Sequence, residues 1–294
     1  QWANVVRWEM RTRLFLRTSE FLWQEGHTAH KNQEEATSEA LQMLDIYAEF
    51  AENVAGVSVV KGIKSANETF AGATTTYSIE AMMKDMKALQ AGTSHELGQN
   101  FSKAFDIQYS DENNELQYPF QTSWGVSTRL IGMIIMAHGD DQGLQLPPNL
   151  APTQSVLIPI IPNEDSKSIV LETVNNLHKE LRESYRIKID DRDNISPGFK
   201  FNEWELKGVP LRIEIGPKDI ENNSVVFSRR DGVDGKNSIS INEVSQKLKE
   251  NLDDIQSILL ETSKNFRKEN TIHVDSKAEL IDTLNSTPGF VTCY

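Results

Sequence analysis

The sequence holds a single cysteine, Cys293, among 294 residues. An intramolecular disulfide framework and a multi-cysteine zinc site are thereby excluded, and a reducing compartment fits. Long hydrophobic runs are missing as well. The longest, around LIGMIIMA, falls far short of the ~20 apolar residues that a bilayer-spanning helix requires, and no signal-peptide pattern opens the chain. Neither a G-x-x-x-x-G-K-[ST] phosphate loop nor a G-x-S-x-G nucleophile elbow occurs, and a lone cysteine at the chain end offers no covalent nucleophile. Positive charge is also in short supply, with 30 Lys and Arg against 43 Asp and Glu and a net charge of -13. That balance argues against a general polyanion-binding coat and leaves only local basic patches as phosphate contacts.

What is present suits a globular protein: 38% apolar and 25% charged residues, with enough length for one large or two ordinary domains. A cytoplasmic, non-membrane protein is expected. The chain begins at Gln1 with a strand-like alternation already under way and ends on TPGFVTCY, so a fragment is expected.

Along the chain, residues 2 to 10 alternate so that Asn4, Val6, Trp8 and Met10 share one face of a strand and Val5, Arg7 and Glu9 the other. The run LFLRTSEFLW predicts a second strand with Phe15, Arg17 and Ser19 on one face, joined to the first by a turn around Arg11, Thr12 and Arg13. Helical spacing of Ala36, Ala40, Leu44, Tyr47 and Ala51 predicts a scaffold helix over 32 to 54. Strands follow at VSVV, TTYSIEAMM and KALQAG, then a DENNEL turn between two extended arms and a buried helix, VSTRLIGMIIMAH. The proline-rich LQLPPNLAP, residues 144 to 152, marks a boundary. Beyond it SVLIPII, a helix opened by Asp165 or Ser166, and RIKID form a β-α-β unit. Strands at GVPLRIEI and SVVFSRR then lead to a helix whose capping box is Ser240 and Glu243, and an IHVD strand with a KAELIDTL helix closes the chain.

Three stretches carry more polar and small residues than a core sheet needs: RWEMRTRLFLRTSE, QAGTSHELGQNFSKAF and QTSWGVSTR. Arg7 and Glu9 sit between hydrophobic neighbours, so they either join surface ion pairs or line a polar cleft, where a planar guanidinium suits carboxylate or phosphate. Around His95 the residues Gln90, Thr93, Ser94, Gln99 and Asn100 form either an ordinary glycine-containing turn or the donor-rich wall of a ligand pocket. Arg129 stands in the first turns of its helix, at the end where the dipole disfavours a cation, so a carboxylate or an anionic ligand must hold it. His27 and His30 have a spacing that could share a metal on a helix, but no third ligand follows and no metal site is expected.

Taken together, these stretches resemble the prolyl-tRNA synthetase family of class II aminoacyl-tRNA synthetases, in the subgroup common in archaea and eukaryotes and found in some bacteria. NVVRWE with FLRTSEFLWQEGHTAH is similar to motif 2. FAGATTTYSIEAMM and QAGTSHELGQNFSKAF are similar to the proline-pocket and nucleotide segments, and QTSWGVSTRLIG through HGDDQGLQLPP to motif 3. SPGFKFNEWELKGVPLRIEIGPKD is similar to the anticodon-binding domain. The resemblance implies an α+β class II catalytic domain, an antiparallel sheet with helices, over 1–150; an α/β anticodon-binding domain over 151–268; and the start of a C-terminal domain over 269–294.

It further implies activation of L-proline with ATP and Mg²⁺ to prolyl-adenylate, followed by transfer to tRNA(Pro), in a protein that is a homodimer when complete. Arg7 would bridge the proline carboxylate and the α-phosphate, with Arg129 on the γ-phosphate, as the catalytic pair. Glu9 would take the adenine amino group, while Arg17, Thr18, Gln90, Thr93 and Ser127 would contact the nucleotide. Phe70, His95 and Trp124 would line the proline pocket, and Glu205 and Arg212 would read anticodon bases. The editing insertion of the bacterial-type subgroup has no counterpart between motifs 2 and 3, so editing in cis is not expected; motif 1 has none in these residues, so the chain alone is expected to bind nucleotide weakly without charging tRNA. The alternatives are a non-charging tRNA-binding or regulatory homologue, or a class II synthetase for another amino acid.

Overall fold

The computed structural model describes residues 1–233 and 235–293. Two compact units emerge. One comprises Gln1–Asn53, Val57–Ala137 and the segment from Ser263 onward; the other comprises Val54–Gly56 and His138–Thr262.

The first unit is built on a six-stranded antiparallel sheet of β1 (Trp2–Val6), β2 (Glu20–His30), β3 (Val59–Ile63), β4 (Thr75–Met82), β5 (Ala88–Gly98) and, after the short arms β6 (Tyr109–Ser110) and β7 (Leu116–Gln117), β8 (Phe120–Ser127). Their spatial order is β1-β2-β8-β5-β4-β3. Helix α1 (Gln33–Glu49) lies on one face and continues as a π-helical turn over Phe50–Val54. Asn32 caps α1 by accepting the Glu35 N–H at 2.8 Å, and Ala36, Ala40, Leu44 and Tyr47 are buried along it, as their spacing predicts. The short α2 (Asn100–Ala104) follows β5, and α3 (Arg129–His138) follows β8.

Strand alternation assigns faces. Ser94 of β5 bonds the Ala40 carbonyl of α1 at 2.7 Å, so the residues paired with it, Tyr77 and Trp124, share the α1 face. Thr76, Ser78, Thr93, His95, Ser123 and Gly125 project to the opposite face.

The sequence places a second strand too early. The β1–β2 ladder closes at Val6 opposite Glu20, with the Arg7 N–H donating to the Ser19 carbonyl at 2.8 Å, and LFLR is the tip of the hairpin. The Arg13 N–H donates to the Arg17 carbonyl at 2.7 Å, and Phe15 has φ 58°. Phe15, Arg17 and Ser19 therefore do not share a strand face. Apolar residues there suggested a strand, yet Leu14 is 80% exposed: a short apolar run has the same period whether it pairs or turns.

The second unit holds a five-stranded sheet of order β10-β9-β11-β12-β13, with β9 (Ser155–Pro159), β10 (Ile187–Ile189), β11 (Leu211–Ile215), β12 (Ser224–Arg229) and β13 (Lys236–Ser240). The β9–β10 and β9–β11 pairs are parallel and the β11–β12 and β12–β13 pairs antiparallel. Helices α4 (Glu164–Leu181), α5 (Pro197–Leu206), α6 (Pro217–Glu221) and α7 (Val244–Glu269) complete the α/β layers. Leu157, Ile213 and Phe227 of the sheet pack with Val170, Val174 and Leu177 of α4 and with Leu248 and Leu252 of α7. Val156 and Ile158 meet Phe201 and Trp204 of α5 on the other side.

Two caps differ from the sequence reading. Asn163, not Asp165 or Ser166, opens α4, accepting the Ser166 N–H at 3.0 Å. Ser240 heads a 3-10 turn, Ile241–Glu243, without a side-chain cap bond, so the expected box is not formed. Helix α5 and strand β13 were not expected from the sequence; Ser196 caps α5 and Pro197 stands in its first turn, where proline is well placed. After α7 come β14 (Thr271–His273), α8 (Lys277–Ser286) and β15 (Phe290–Thr292), with β14 and β15 parallel. The expected third segment ends on Tyr294, which lies outside the described residues.

Candidate active site

The sheet face opposite α1 carries a cavity of about 350 Å³. Arg7, Phe70, Gln90, Thr93, His95, Trp124, Ser127 and Arg129, all named from the sequence, line it. They come from β5 and β8, the segment before β4, and the ends of β1 and α3, so antiparallel pairing gathers residues more than a hundred positions apart.

Charge is distributed unevenly here. Arg129 donates from Nε to the Leu16 carbonyl at 3.2 Å and from Nη1 to the Gln90 carbonyl at 3.4 Å, and its own N–H reaches Ser127 Oγ at 3.3 Å. Among the described residues no carboxylate lies within ion-pair distance of Arg7, Arg17 or Arg129. Burial, then the charges of Arg7 and Arg17, hold the Arg129 guanidinium below its ordinary pKa, and only Glu80 acts in the opposite direction. Arg7 rests its guanidinium 4.9 Å from the centre of the Phe21 ring. Three guanidiniums of like charge, none in an ion pair among the described residues, form a site suited to an anion.

An aromatic pair also lies on the cavity wall. Phe70 and His95 pack with ring centres 5.0 Å apart. His95 Nδ1 lies 2.9 Å from Thr76 Oγ1, and burial pushes the imidazole down to about 4, so it is neutral at pH 7. Trp124 is 9% exposed. Its indole occupies the space over Gly26 on the neighbouring strand, where any Cβ would collide with the ring. Trp124 thus supports the floor of the pocket from the α1 side.

Glu9, Arg17 and Thr18 stand apart from this lining. Thr18 borders a separate hollow with Leu14, Phe15 and Thr128, Glu9 is half-buried, and Arg17 is exposed on the hairpin, near enough for its charge to act on Arg129. His27 and His30 lie on a strand rather than a helix and so project to opposite faces. Among the described residues no three His, Cys, Asp or Glu side chains group as a metal cage.

The arrangement has known counterparts. A family model described as "tRNA synthetase class II core domain (G, H, P, S and T)" matches residues 1–138, and one described as "Anticodon binding domain" matches 154–251. The Proline--tRNA ligase of Natranaerobius thermophilus is 54% identical over 294 residues, 100% of this chain and 60% of that protein. This chain belongs to the proline–tRNA ligase family.

Another family member, the chloroplastic/mitochondrial Proline--tRNA ligase of Arabidopsis thaliana, is 56% identical over 292 residues, 97% of this chain and 54% of that protein. Among solved structures, prolyl-tRNA synthetase from Cryptosporidium parvum complexed with L-proline and AMP superposes with a TM-score of 0.92 at 44% identity, covering 100% of this chain and 63% of that one. The chain therefore has the fold of a class II synthetase core followed by an anticodon-binding domain, and it spans about 60% of the length of the curated relatives it matches.

In the anticodon-binding domain of this family member, the two residues named from the sequence meet each other. Arg212 donates to Glu205 at 2.9 Å, to Glu214 at 3.0 Å and to Ser228 Oγ at 3.0 Å, and its guanidinium lies 4.2 Å from the centre of the Phe201 ring. Sequence reasoning missed Phe21, Trp23, Glu25, Glu68 and Thr76 on the cavity wall. Trp23 and Glu25 were legible as an alternating pair on the strand after the hairpin; Thr76 looked like one β-former among several.

Proposed function

We propose that this chain carries the amino-acid-activating and anticodon-reading parts of a prolyl-tRNA synthetase. The observation that carries the reading is a cavity with uncompensated guanidiniums, Arg7 and Arg129, at one end and the tight Phe70–His95 pair at the other. A polyanion and a small ring-shaped amino acid fit those two ends. A carboxylate oxygen of proline attacks the α-phosphorus of ATP, and the bond to the β-phosphate breaks with release of pyrophosphate. The terminal ribose hydroxyl of tRNA(Pro) then attacks the prolyl carbonyl, and AMP leaves. No side-chain nucleophile takes part, so the protein contributes positioning and charge.

Arg7 bridges the proline carboxylate and the α-phosphate, Arg129 holds the γ-phosphate, and Gln90, Thr93 and Ser127 contact the nucleotide between them. Glu9, Arg17 and Thr18 reach the nucleotide from the hairpin, Glu9 accepting from the adenine amino group. Phe70, His95 and Trp124 enclose proline, and Glu205 and Arg212 read anticodon bases once their mutual ion pair opens. Mg²⁺ belongs to the proposal as companion of the phosphates. Glu25 and Glu68 bring carboxylates to the cavity wall, a donor set that suits a hard cation keeping most of its waters and taking one or two carboxylates.

The same reading divides the chain into catalytic residues 1–150, an anticodon-binding domain over 151–268 and a further domain beginning at 269. It also gives the complete protein a homodimeric, cytoplasmic existence. Proline-dependent exchange of labelled pyrophosphate into ATP by the complete protein tests it. Exchange with proline far above that with threonine, glycine or alanine is expected, and its absence with proline would overturn the reading in favour of a non-charging homologue.

A further inference from the structure

Thr76 is 3% exposed, faces the cavity from β4, and has no part in the chemistry above. Its Oγ1 accepts the backbone N–H of Phe70 at 2.9 Å and lies 2.9 Å from Nδ1 of His95, the residue directly opposite it on β5. One hydroxyl thus bonds the backbone of Phe70 and the ring of His95, the two residues whose rings pack together on the cavity wall.

We propose that Thr76 is a positioning residue for the amino-acid pocket: its hydroxyl accepts from the Phe70 backbone N–H and donates to His95 Nδ1, fixing His95 as the Nε2–H tautomer and tying its ring to the Phe70 backbone. The proposal deepens the proline-activating reading and rests on it.

The assignment follows from hydrogen-bond supply. A threonine hydroxyl has one proton and two lone pairs. Phe70 fills one lone pair, and the proton has no acceptor among the described residues except His95 Nδ1. The reverse arrangement, with Nδ1–H donating, would leave a buried O–H unsatisfied, which is the costlier state. Burial keeps the ring neutral at pH 7, so the tautomer question is well posed there.

The geometry around Thr76 is braced from behind. On the α1 face of the same two strands, the Tyr77 hydroxyl donates to buried Glu96 at 2.5 Å, and Gln33 of α1 donates to the other carboxylate oxygen. This brace fixes the β4–β5 pair beneath Thr76. His95 Nε2 has no protein partner among the described residues, so the Nε2–H is a neutral donor available to an oxygen of the bound amino acid. It adds no charge to compete with Arg7 for the carboxylate.

The test uses Thr76→Val, which keeps the shape and removes the hydroxyl, and Thr76→Ser, which restores it. In ¹⁵N-labelled protein at pH 7, the His95 ring nitrogens are expected to report the Nε2–H form in wild type and Thr76→Ser, and a mixture in Thr76→Val with the other five histidines unmoved. In the complete protein, pyrophosphate exchange should show the KM for proline rising on the order of 3- to 10-fold in Thr76→Val, the worth of one hydrogen bond, with the KM for ATP unchanged and Thr76→Ser near wild type. An Nδ1–H signature in wild type, or a Thr76→Val protein with an unaltered tautomer or an unaltered KM for proline, overturns the proposal. Failure of wild type to exchange with proline would sink the functional reading instead, while the tautomer measurement still decides the role of Thr76.

Discussion

At the residue scale, the charges around the cavity explain each other. Arg129 carries the costs of burial and of like-charged neighbours with only Glu80 acting the other way, an arrangement that favours binding an anion. Replacing Arg7 or Arg129 by Ala in the complete protein is expected to lower proline-dependent pyrophosphate exchange by about 10²-fold or more, the scale of losing one preorganised charge-assisted partner. Near-wild-type exchange in either variant would contradict the roles given to them. His95 makes a second prediction, on stability. Its folded pKa of about 4 lies below the ordinary value of 6.5, so between those values the unfolded chain binds more protons and stability falls as pH drops from 6.5 toward 4. Urea midpoints measured across that window should decline less steeply in His95→Asn than in wild type. Arg7 was legible because a charge stood in an alternating pattern among hydrophobic residues, and His95 because polar and small residues crowd around it. The absence of counter-ions was not legible, since 43 acidic residues were available in the sequence to pair with them.

At the scale of elements, β2, β8 and β5 form the working surface, and one close packing joins the first two. Trp124 on β8 lies across Gly26 on β2, which has no Cβ to obstruct it. Gly26→Ala forces the indole aside, and overpacking of this kind costs about 1–3 kcal/mol. A lower melting temperature, altered tryptophan fluorescence and a raised KM for proline are the expected results, and an unchanged melting temperature would show that the ring can yield freely. Glycine in a strand commonly marks such an approach, but the sequence does not say which side chain approaches. The hairpin teaches the complementary lesson: alternation in LFLRTSEFLW cannot separate a paired strand from an exposed tip, because pairing depends on the partner.

At the scale of the whole molecule, the chain folds as two compact units with separate sheets. Two units with distinct cores are expected to unfold in two steps by calorimetry. ATP with proline should raise the transition of the unit that contains Arg7 and Arg129 and leave the other nearly unmoved, because a ligand stabilises what it binds. A single transition shifted as a block would contradict that independence. By itself the sequence determined the family and the main scaffold helices, because long motifs in a fixed order and helical spacing depend only on neighbours along the chain. Only the tertiary structure decided that Arg7, Gln90 and Arg129 share one cavity with neither arginine in an ion pair among the described residues, that Trp124 closes its floor over Gly26, and that Thr76 joins Phe70 to His95. Each of these depends on strand order and register, which bring distant residues within a few ångströms and which the local pattern of a sequence does not encode.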